Sequence, residues 1–285
     1  MRNLLVLLTI LICLTPQVNG QPKVKEPTSA DRLGWQLAVH SYTFRKFTIS
    51  EAIEKTSALG MTYFSISGSV NWDGKQRNTI DLSETELVTL QKKLRAAGIV
   101  RMVNMGVVRL PANEAESRKV FEFAKRAGID VLVSEPAEAA LDTVEKLAKE
   151  YTIKVALHNH PKPSHYWNPD TVLQAIKGRS PLLGACADTG HWIRSGLDPV
   201  EALKKLEGRV LSLHFKDLVK NDGKGFHDVP WGTGVGRCKD VMAELKRQRF
   251  RGAFCVEYEH NWENSFPEIA ECAKFFNATC ADLVK

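Results

Sequence analysis

The sequence predicts a (β/α)8 barrel, also called a TIM barrel: an α/β fold of eight parallel strands surrounded by helices. Three observations support this prediction. Short β-rich segments alternate with longer amphipathic segments along almost the whole chain. Eight such units fit within about 250 residues, the usual size of this fold. The first strand is not followed by the glycine-rich phosphate loop that a doubly wound sheet normally carries.

The eight predicted strands are short, apolar and bounded by turns or helices. They cover residues 36–40, 62–67, 100–105, 131–134, 154–159, 183–188, 210–215 and 253–257. The clearest helical patterns between them cover residues 49–59, 84–97, 114–127, 139–151 and 238–247. Three of these helices are followed by Gly60, Gly98 and Gly128, each just before the next strand. Glycine at this place predicts a left-handed residue that ends the helix.

The first 20 residues differ from the rest and predict a cleaved secretory signal. Arg2 precedes an apolar run over residues 4–14, then Pro16 and the small residues 18–20. The run is about half the length of roughly 20 residues that spans a bilayer, so a retained membrane anchor is the less favoured alternative. We therefore expect a signal over 1–20, a lead segment over 21–33 and one barrel domain over 34–285. The mature protein is expected to be exported, to the periplasm or the medium, and free of the membrane.

Cysteine content and charge argue against a disulfide-stabilised scaffold and against a nucleic-acid-binding protein. Without the signal the chain keeps five cysteines, an odd number with no CxxC spacing, which does not suit a disulfide framework. Of these, at most Cys272 and Cys280 are expected near the surface. The formal charge of +6 is spread along the chain, and the basic cluster 246–249 is interpreted as a helix end. Nucleic acid is therefore not an expected partner, and the sequence does not indicate an oligomeric state.

Ionisable residues gather at the carboxyl ends of the predicted strands, where barrel enzymes have their active sites. Most of the eight histidines lie at or just beyond these ends. The ionisable residues at these ends are His40, Glu135, His158, His160, Asp188, His191, His214, Lys216, Asp217, Glu257 and Glu259. Imidazole and carboxylate groups converging from separate strands predict one divalent metal ion, of Mn, Co, Zn, Mg or Fe.

Three short segments carry this metal prediction. Asp188 in ADTGHW is a candidate ligand with His191 three residues later, although an Asp capping the next helix is the alternative. His214 in LHFKD lies in an apolar run, where an unpaired histidine would be costly to bury. In VEYE, Glu257 is the expected ligand or base and Glu259 lies nearer the rim.

Aromatic residues and a glycine run follow the later strands. Tryptophans of this kind could stack on sugar rings or simply fill space between loops. They are Trp167, Trp192, Trp231 and Trp262.

The run Gly232-Thr233-Gly234-Val235-Gly236 comes too late to be a nucleotide loop, and we interpret it as a tight turn that shapes a pocket rim.

With these motifs the sequence resembles the sugar phosphate isomerase/epimerase superfamily of xylose isomerase-like TIM barrels, over about residues 35–276. That superfamily also includes endonuclease-IV-type enzymes, inosose dehydratases and ketose 3-epimerases. The resemblance implies four metal ligands, of which Asp188, His214 and Glu257 match directly. The fourth is a strand-five glutamate in many members, whereas this chain reads ALHNH there. The resemblance therefore leaves three candidates for that ligand: His158, His160 and Glu135.

These features predict a metal-dependent sugar isomerase or epimerase that works by proton abstraction. Glu257 and a strand-five histidine, His158 or His160, are expected to share the acid and base roles. The expected contacts to a small carbohydrate substrate are His40, His191, Trp192, Lys216, Asp217, Trp231 and Glu259. A lyase or hydratase acting on an oxidised sugar or keto-glycoside is the leading alternative. An endonuclease would need more metal ligands and a basic groove, and a non-catalytic carbohydrate-binding barrel would not need the metal residues.

Overall fold

The computed structural model describes residues 26–221 and 225–285, and the predicted signal over 1–20 lies outside them. Eight parallel strands close into a barrel in which neighbours follow chain order, which confirms the predicted (β/α)8 fold. We number the barrel strands β1 to β8. They are β1 (Trp35–His40), β2 (Tyr63–Ile66), β3 (Arg101–Val108), β4 (Val131–Ser134), β5 (Lys154–His158), β6 (Leu183–Asp188), β7 (Val210–Phe215) and β8 (Gly252–Val256).

Ten α-helices lie within the described residues. They are α1 (Ser29–Leu33), α2 (Ile49–Ala58), α3 (Glu84–Ala96), α4 (Glu114–Ala127), α5 (Leu141–Tyr151), α6 (Pro169–Ala175), α7 (Thr189–Arg194), α8 (Pro199–Lys205), α9 (Cys238–Arg247) and α10 (Phe266–Leu283). The helix predicted over 139–151 is a short 3-10 turn, Glu138–Ala140, followed by α5. In this part of the chain no helix has the length and apolar character needed to cross a membrane.

Local sequence signals explain where the helices begin and end. Thr48 caps α2 and Ser83 caps α3, each in a reciprocal capping box with a glutamate three residues on. Gly128 ends α4 in the left-handed conformation, with φ of 72°. The structure therefore confirms the glycine stops that the sequence predicts.

The core lies inside the barrel and between the barrel and its helices. Trp35 and Phe254 anchor the packing of α10, with Phe276 5.2 Å from Phe254 between ring centroids. Cys272 and Cys280, the two cysteines for which the sequence left a place near the surface open, are fully buried. Both lie on the same face of α10 as Phe276, because residues four apart share one face of a helix. All five cysteines in the described residues are free and buried.

Two β-hairpins stand at the carboxyl end of the barrel, and the sequence analysis did not predict them. One follows β2 and pairs Ser69–Trp72 with Lys75–Asn78. The other follows β7 and pairs Asp217–Asn221 with Gly225–Val229. KQRN in the first hairpin, and DLVKN and GFHDV in the second, lack the alternation of apolar and polar residues that reveals a half-buried strand. They form walls around the mouth of the barrel.

Candidate metal and substrate site

The site is built from residues at the carboxyl ends of four neighbouring strands. His158 ends β5 and Asp188 ends β6, while His214 lies in β7 and Glu257 directly follows β8. Asp188 and His214 are paired across β6 and β7 in the strand register. All four side chains are buried. The closed barrel therefore brings together residues that are up to about a hundred positions apart in the chain.

Asp188 lies at the centre of this group and has two roles. Its Oδ1 accepts a hydrogen bond of 2.8 Å from the backbone N–H of His191 and so caps α7. Its Oδ2 faces a group of nitrogen atoms: Lys216 Nζ at 3.1 Å, His191 Nε2 at 3.5 Å, His158 Nε2 at 3.6 Å and His214 Nδ1 at 3.9 Å. The helix cap and the candidate ligand, which the sequence analysis treated as alternatives, thus use different oxygen atoms of one carboxylate.

Glu257 faces the same space from β8. Its Oε2 lies 2.8 Å from Lys216 Nζ and 3.1 Å from His214 Nδ1. Burial would raise the pKa of Glu257, but the Lys216 ammonium and the neighbouring histidines outweigh burial and hold the pKa well below its usual range. Lys216 Nζ also lies 2.7 Å from Glu259 Oε2. Glu257 is therefore a carboxylate, able to bind a cation or accept a proton.

The residues of this group fit a divalent metal ion. His158, Asp188, His191 and Glu257 each offer a ligand atom, and these atoms lie within 4.8 Å of one another. Asp188 Oδ2 and Glu257 Oε2 are buried and contact Lys216 Nζ, but neither accepts a well-aligned hydrogen bond, so both oxygens have lone pairs available to a metal ion. His214 Nδ1 adjoins the set through its contacts with both carboxylates. His191, which the sequence analysis placed as a substrate contact, is thus brought among the possible ligands.

A second group lies on the outer side of His158. Nδ1 of His158 is 2.9 Å from Glu135 Oε1, and Nδ1 of His160 contacts the same oxygen. Ser164 donates to Glu135 Oε2 at 2.9 Å. Burial would raise the pKa of Glu135, but its bonds to the two histidines lower it well below the usual range. Burial disfavours protonation of His158, yet the nearby carboxylates of Asp188 and Glu135 raise its pKa to about 9. Glu135, His158 and His160 thus form a second group whose ligand atoms could hold a metal ion, next to the group that contains Asp188.

His40 is held as a neutral imidazole at the edge of the site. Its Nε2–H donates to the carbonyl of Gly106 at 2.9 Å, and its Nδ1 accepts from the N–H of Tyr42 at 3.2 Å. Burial, together with nearby His214, lowers the pKa of His40 to about 4. Its Nδ1 lies 3.8 Å from Glu257 Oε1.

Two charged residues of the site were missed by the sequence analysis. Arg194 donates to Asp228 Oδ2 at 2.9 Å and reaches His191 Nδ1 at 3.1 Å. Asp228 comes from the hairpin after β7, and burial raises its pKa to about 7. Arg194 lies one helical turn after His191, a spacing that could have indicated it. Asp228 had no such signal, because only the hairpin carries it to the site.

Four predicted substrate contacts, Trp192, Lys216, Asp217 and Trp231, are buried and do not line the open cavity beside the site. Trp192 and Trp231 are 1% and 2% exposed, and Trp231 stacks edge-on against Phe215 at 4.6 Å. The prediction that they face a substrate is wrong for this structure, because their rings fill space between loops and barrel. Asp217 is also 1% exposed.

The carboxylate of Asp217 holds the glycine run instead of a substrate. Oδ2 accepts from the N–H groups of Gly232 and Gly234, both at 2.9 Å, and Oδ1 accepts from Gly236 at 2.7 Å. A Cβ on Gly234 would come within 2.3 Å of the Leu218 carbonyl, which explains glycine there. The run is thus a turn wrapped around a buried carboxylate, not the pocket rim that the sequence analysis expected.

A cavity of about 740 Å³ opens beside these residues. Its wall includes His40, His160, His191, Glu257 and Glu259 from the predicted set. A substrate in the cavity can therefore reach Glu257 directly.

Comparison with known proteins places this fold and site in a family. The family model described as xylose isomerase-like TIM barrel matches residues 53–278. This chain belongs to that family, as the sequence resemblance predicted.

Individual relatives agree with this assignment. An uncharacterised protein from Parabacteroides distasonis is 34% identical, with a TM-score of 0.68 over 85% of this chain and 98% of that one. A xylose isomerase-like TIM barrel protein from Mycobacterium smegmatis, solved in complex with magnesium, is 14% identical with a TM-score of 0.73, over 90% and 99% of the two chains. That similarity concerns the fold alone.

Among curated proteins, the inosose dehydratase of Clostridium tetani is 28% identical over 137 residues. The match covers 42% of this chain and 45% of the dehydratase, so it spans less than half of either protein.

Proposed function

We propose that this chain is a metal-dependent enzyme that removes a proton from a carbon next to a carbonyl group of a small carbohydrate, leading to isomerisation or epimerisation. The observation that carries the proposal is Glu257, a buried carboxylate at the cavity wall with Oε2 2.8 Å from Lys216 Nζ. A divalent ion held by His158, Asp188, His191 and Glu257, beside His214, would polarise the carbonyl and make the adjacent C–H more acidic.

Three other side-chain functions are needed: a base, a compensating positive charge and a second proton-transfer group. Glu257 accepts the proton, because its carboxylate lies both at the cavity wall and in the candidate metal group. Lys216, whose ammonium contacts the carboxylates of Asp188, Glu257 and Glu259, offsets their charge and holds them in place. Of the two strand-five histidines, His160 lines the cavity while both ring nitrogens of His158 are engaged. We therefore assign His160 as the second proton-transfer group.

Dehydration of an oxidised sugar is the second candidate outcome. Two observations favour it: the match to inosose dehydratases and a histidine at the end of β5, where the resemblance led us to expect the second glutamate of an epimerase. Both outcomes share the first step, and they diverge only in whether the intermediate regains a proton or loses a hydroxyl group. We also propose export, as the N-terminal residues predict, which favours an unphosphorylated substrate.

The test is solvent deuterium exchange with a panel of ketoses and keto-inositols, in protein loaded with Mn, Co, Zn or Mg. A product that carries deuterium on carbon and otherwise has the mass of the starting sugar would support isomerisation or epimerisation. A product lighter by one water molecule would support dehydration. Glu257→Gln should lower either rate about 10² to 10⁴-fold. His160→Ala should also lower it, whereas His165→Ala, an exposed histidine paired with Glu138, should not. Absence of exchange with every sugar and metal would contradict the proposal and leave a carbohydrate-binding barrel.

A further inference from the structure

The cavity extends well beyond the candidate metal group. Its inner part is lined by His40, His191 and Glu257, and its outer part runs along the side of β2 and β3 towards α4. The volume of about 740 Å³ lies in the upper part of the range of 300 to 1,000 Å³ typical for pockets that enclose drug-sized ligands. One sugar ring at Glu257 would leave the outer part unfilled.

The hairpin after β2 forms a fixed wall of this outer part. Thr79 donates its N–H to the carbonyl of Gly68 at 2.9 Å and its hydroxyl to the carbonyl of Ser67 at 2.6 Å. A Cβ on Gly68 would come within 2.4 Å of the Val107 carbonyl, so the start of the hairpin lies directly on β3. Arg77 pairs with Glu86 on α3 and ties the second strand of the hairpin to the barrel. A wall held in this way is preorganised for a ligand.

The polar groups of the outer part are balanced in charge. The carboxylates of Asp81 and Glu116 line it together with the cations of Arg109 and Lys119. Neither cation forms an ion pair within residues 26–221 and 225–285. Asn78 adds an amide that donates to Asp81 at 3.1 Å. Donors and acceptors of both kinds suit the hydroxyl groups of a sugar ring, each of which donates and accepts. Because the two carboxylates offset the two cations, the outer part carries no net charge that would favour a phosphate or carboxylate over a neutral sugar.

We propose that the outer part of the cavity is a second sugar subsite, and that the substrate is a neutral glycoside of two rings rather than a monosaccharide or a sugar phosphate. The reacting ring lies at Glu257 and the second ring lies between the hairpin and α4. This inference rests on the proposed function for the reacting ring, but the second subsite can be tested by binding alone.

The experiment is calorimetric titration of the metal-loaded protein with glucose, glucose 6-phosphate and the disaccharides sucrose, maltose, cellobiose and trehalose. We expect at least one disaccharide to bind about tenfold more tightly than glucose, and glucose 6-phosphate to bind no more tightly than glucose. Asn78→Ala and Lys119→Ala should each weaken that disaccharide about three- to tenfold and leave glucose unchanged. Lys125→Ala, on the same helix as Lys119 but outside the cavity wall, is the matched control.

Equal binding of glucose and all disaccharides, or no disaccharide binding, would overturn the subsite, as would tighter binding of glucose 6-phosphate. An unchanged disaccharide affinity in both cavity variants would also overturn it. Failure of the proposed reaction gives a different pattern: the disaccharide preference persists while no sugar of either size exchanges a proton with solvent.

Discussion

Glu135 Oε1 lies 2.9 Å from Nδ1 of His158, and the opposite ring nitrogen, Nε2, lies 3.6 Å from Asp188 Oδ2. A carboxylate that binds one nitrogen of an imidazole fixes the ring and directs the other nitrogen towards a metal. The described geometry thus makes Glu135 a positioning residue for His158. Glu135 also forms a second possible metal group with His158 and His160, so its role as a ligand stays a prediction.

The first prediction concerns this contact. Glu135→Gln keeps the size of the side chain but removes the charge that orients His158, so we expect metal affinity to fall about 10- to 100-fold. Competition titration with a chromophoric chelator measures the affinity. Glu138→Gln, which changes an exposed glutamate close by, serves as the control. An affinity equal to that of the original protein would show that Glu135 does not position His158.

The second prediction separates the two roles of Asp188. Asp188→Asn retains an oxygen that can cap α7 but removes the charge of the candidate ligand. We expect the protein to fold and to lose its bound metal, as measured by elemental mass spectrometry after purification. Asp198→Asn makes the same change at the cap of α8, where Oδ1 accepts from the N–H of Val200, and should keep the metal. Equal metal content in the two variants would contradict the ligand role. His214→Ala should lose metal too if His214 completes the site.

The third prediction tests the structural role of Asp217. Asp217→Ala leaves the N–H groups of Gly232, Gly234 and Gly236 without their acceptor, and that of Gly236 is buried. We expect a loss of unfolding free energy on the order of 3 kcal/mol in urea titration, because three hydrogen bonds to a charged group are lost and one buried donor stays unsatisfied. Asp240→Ala, an exposed aspartate at the start of α9, should cost much less. If Asp217→Ala instead kept full stability and mainly raised KM, the result would support the role of Asp217 as a substrate contact, as the sequence predicted.

The fourth prediction concerns pH and the hairpin wall. Hydrogen bonds from Arg77, and from the backbone and side chain of Ser83, lower the pKa of Glu86 to about 2. A carboxyl group with a lowered folded pKa stabilises the protein above its unfolded pKa of about 4.3 and loses this effect as pH falls through the folded value. Glu86→Gln should therefore be less stable than the original protein at pH 7, with the difference narrowing between about pH 4.3 and pH 2. Urea titrations across this range measure it.

Glu54→Gln on α2 is the control for this experiment, since Glu54 takes no part in a cap or ion pair among the described contacts. A difference for Glu86→Gln that stays constant across the pH range would show that its charge is not what stabilises the folded state.

The sequence by itself determined the fold and most of the candidate site. Period and length of the apolar segments predicted all eight barrel strands, because each strand is buried on both faces and each helix on one. Barrel closure then requires the strand ends to meet, which is why His158, Asp188, His214 and Glu257 could be grouped from their positions alone.

Only the tertiary structure decided how these side chains divide their roles. It placed Glu135 behind His158, brought His191 beside Asp188 and carried Asp228 to Arg194 on an unpredicted hairpin. Trp231 and Asp217 follow strands as an exposed contact would, yet both are buried. Strand position fixes where a Cα lies, but the direction and burial of a side chain depend on what the loops pack against, and this packing involves contacts between residues far apart in the sequence.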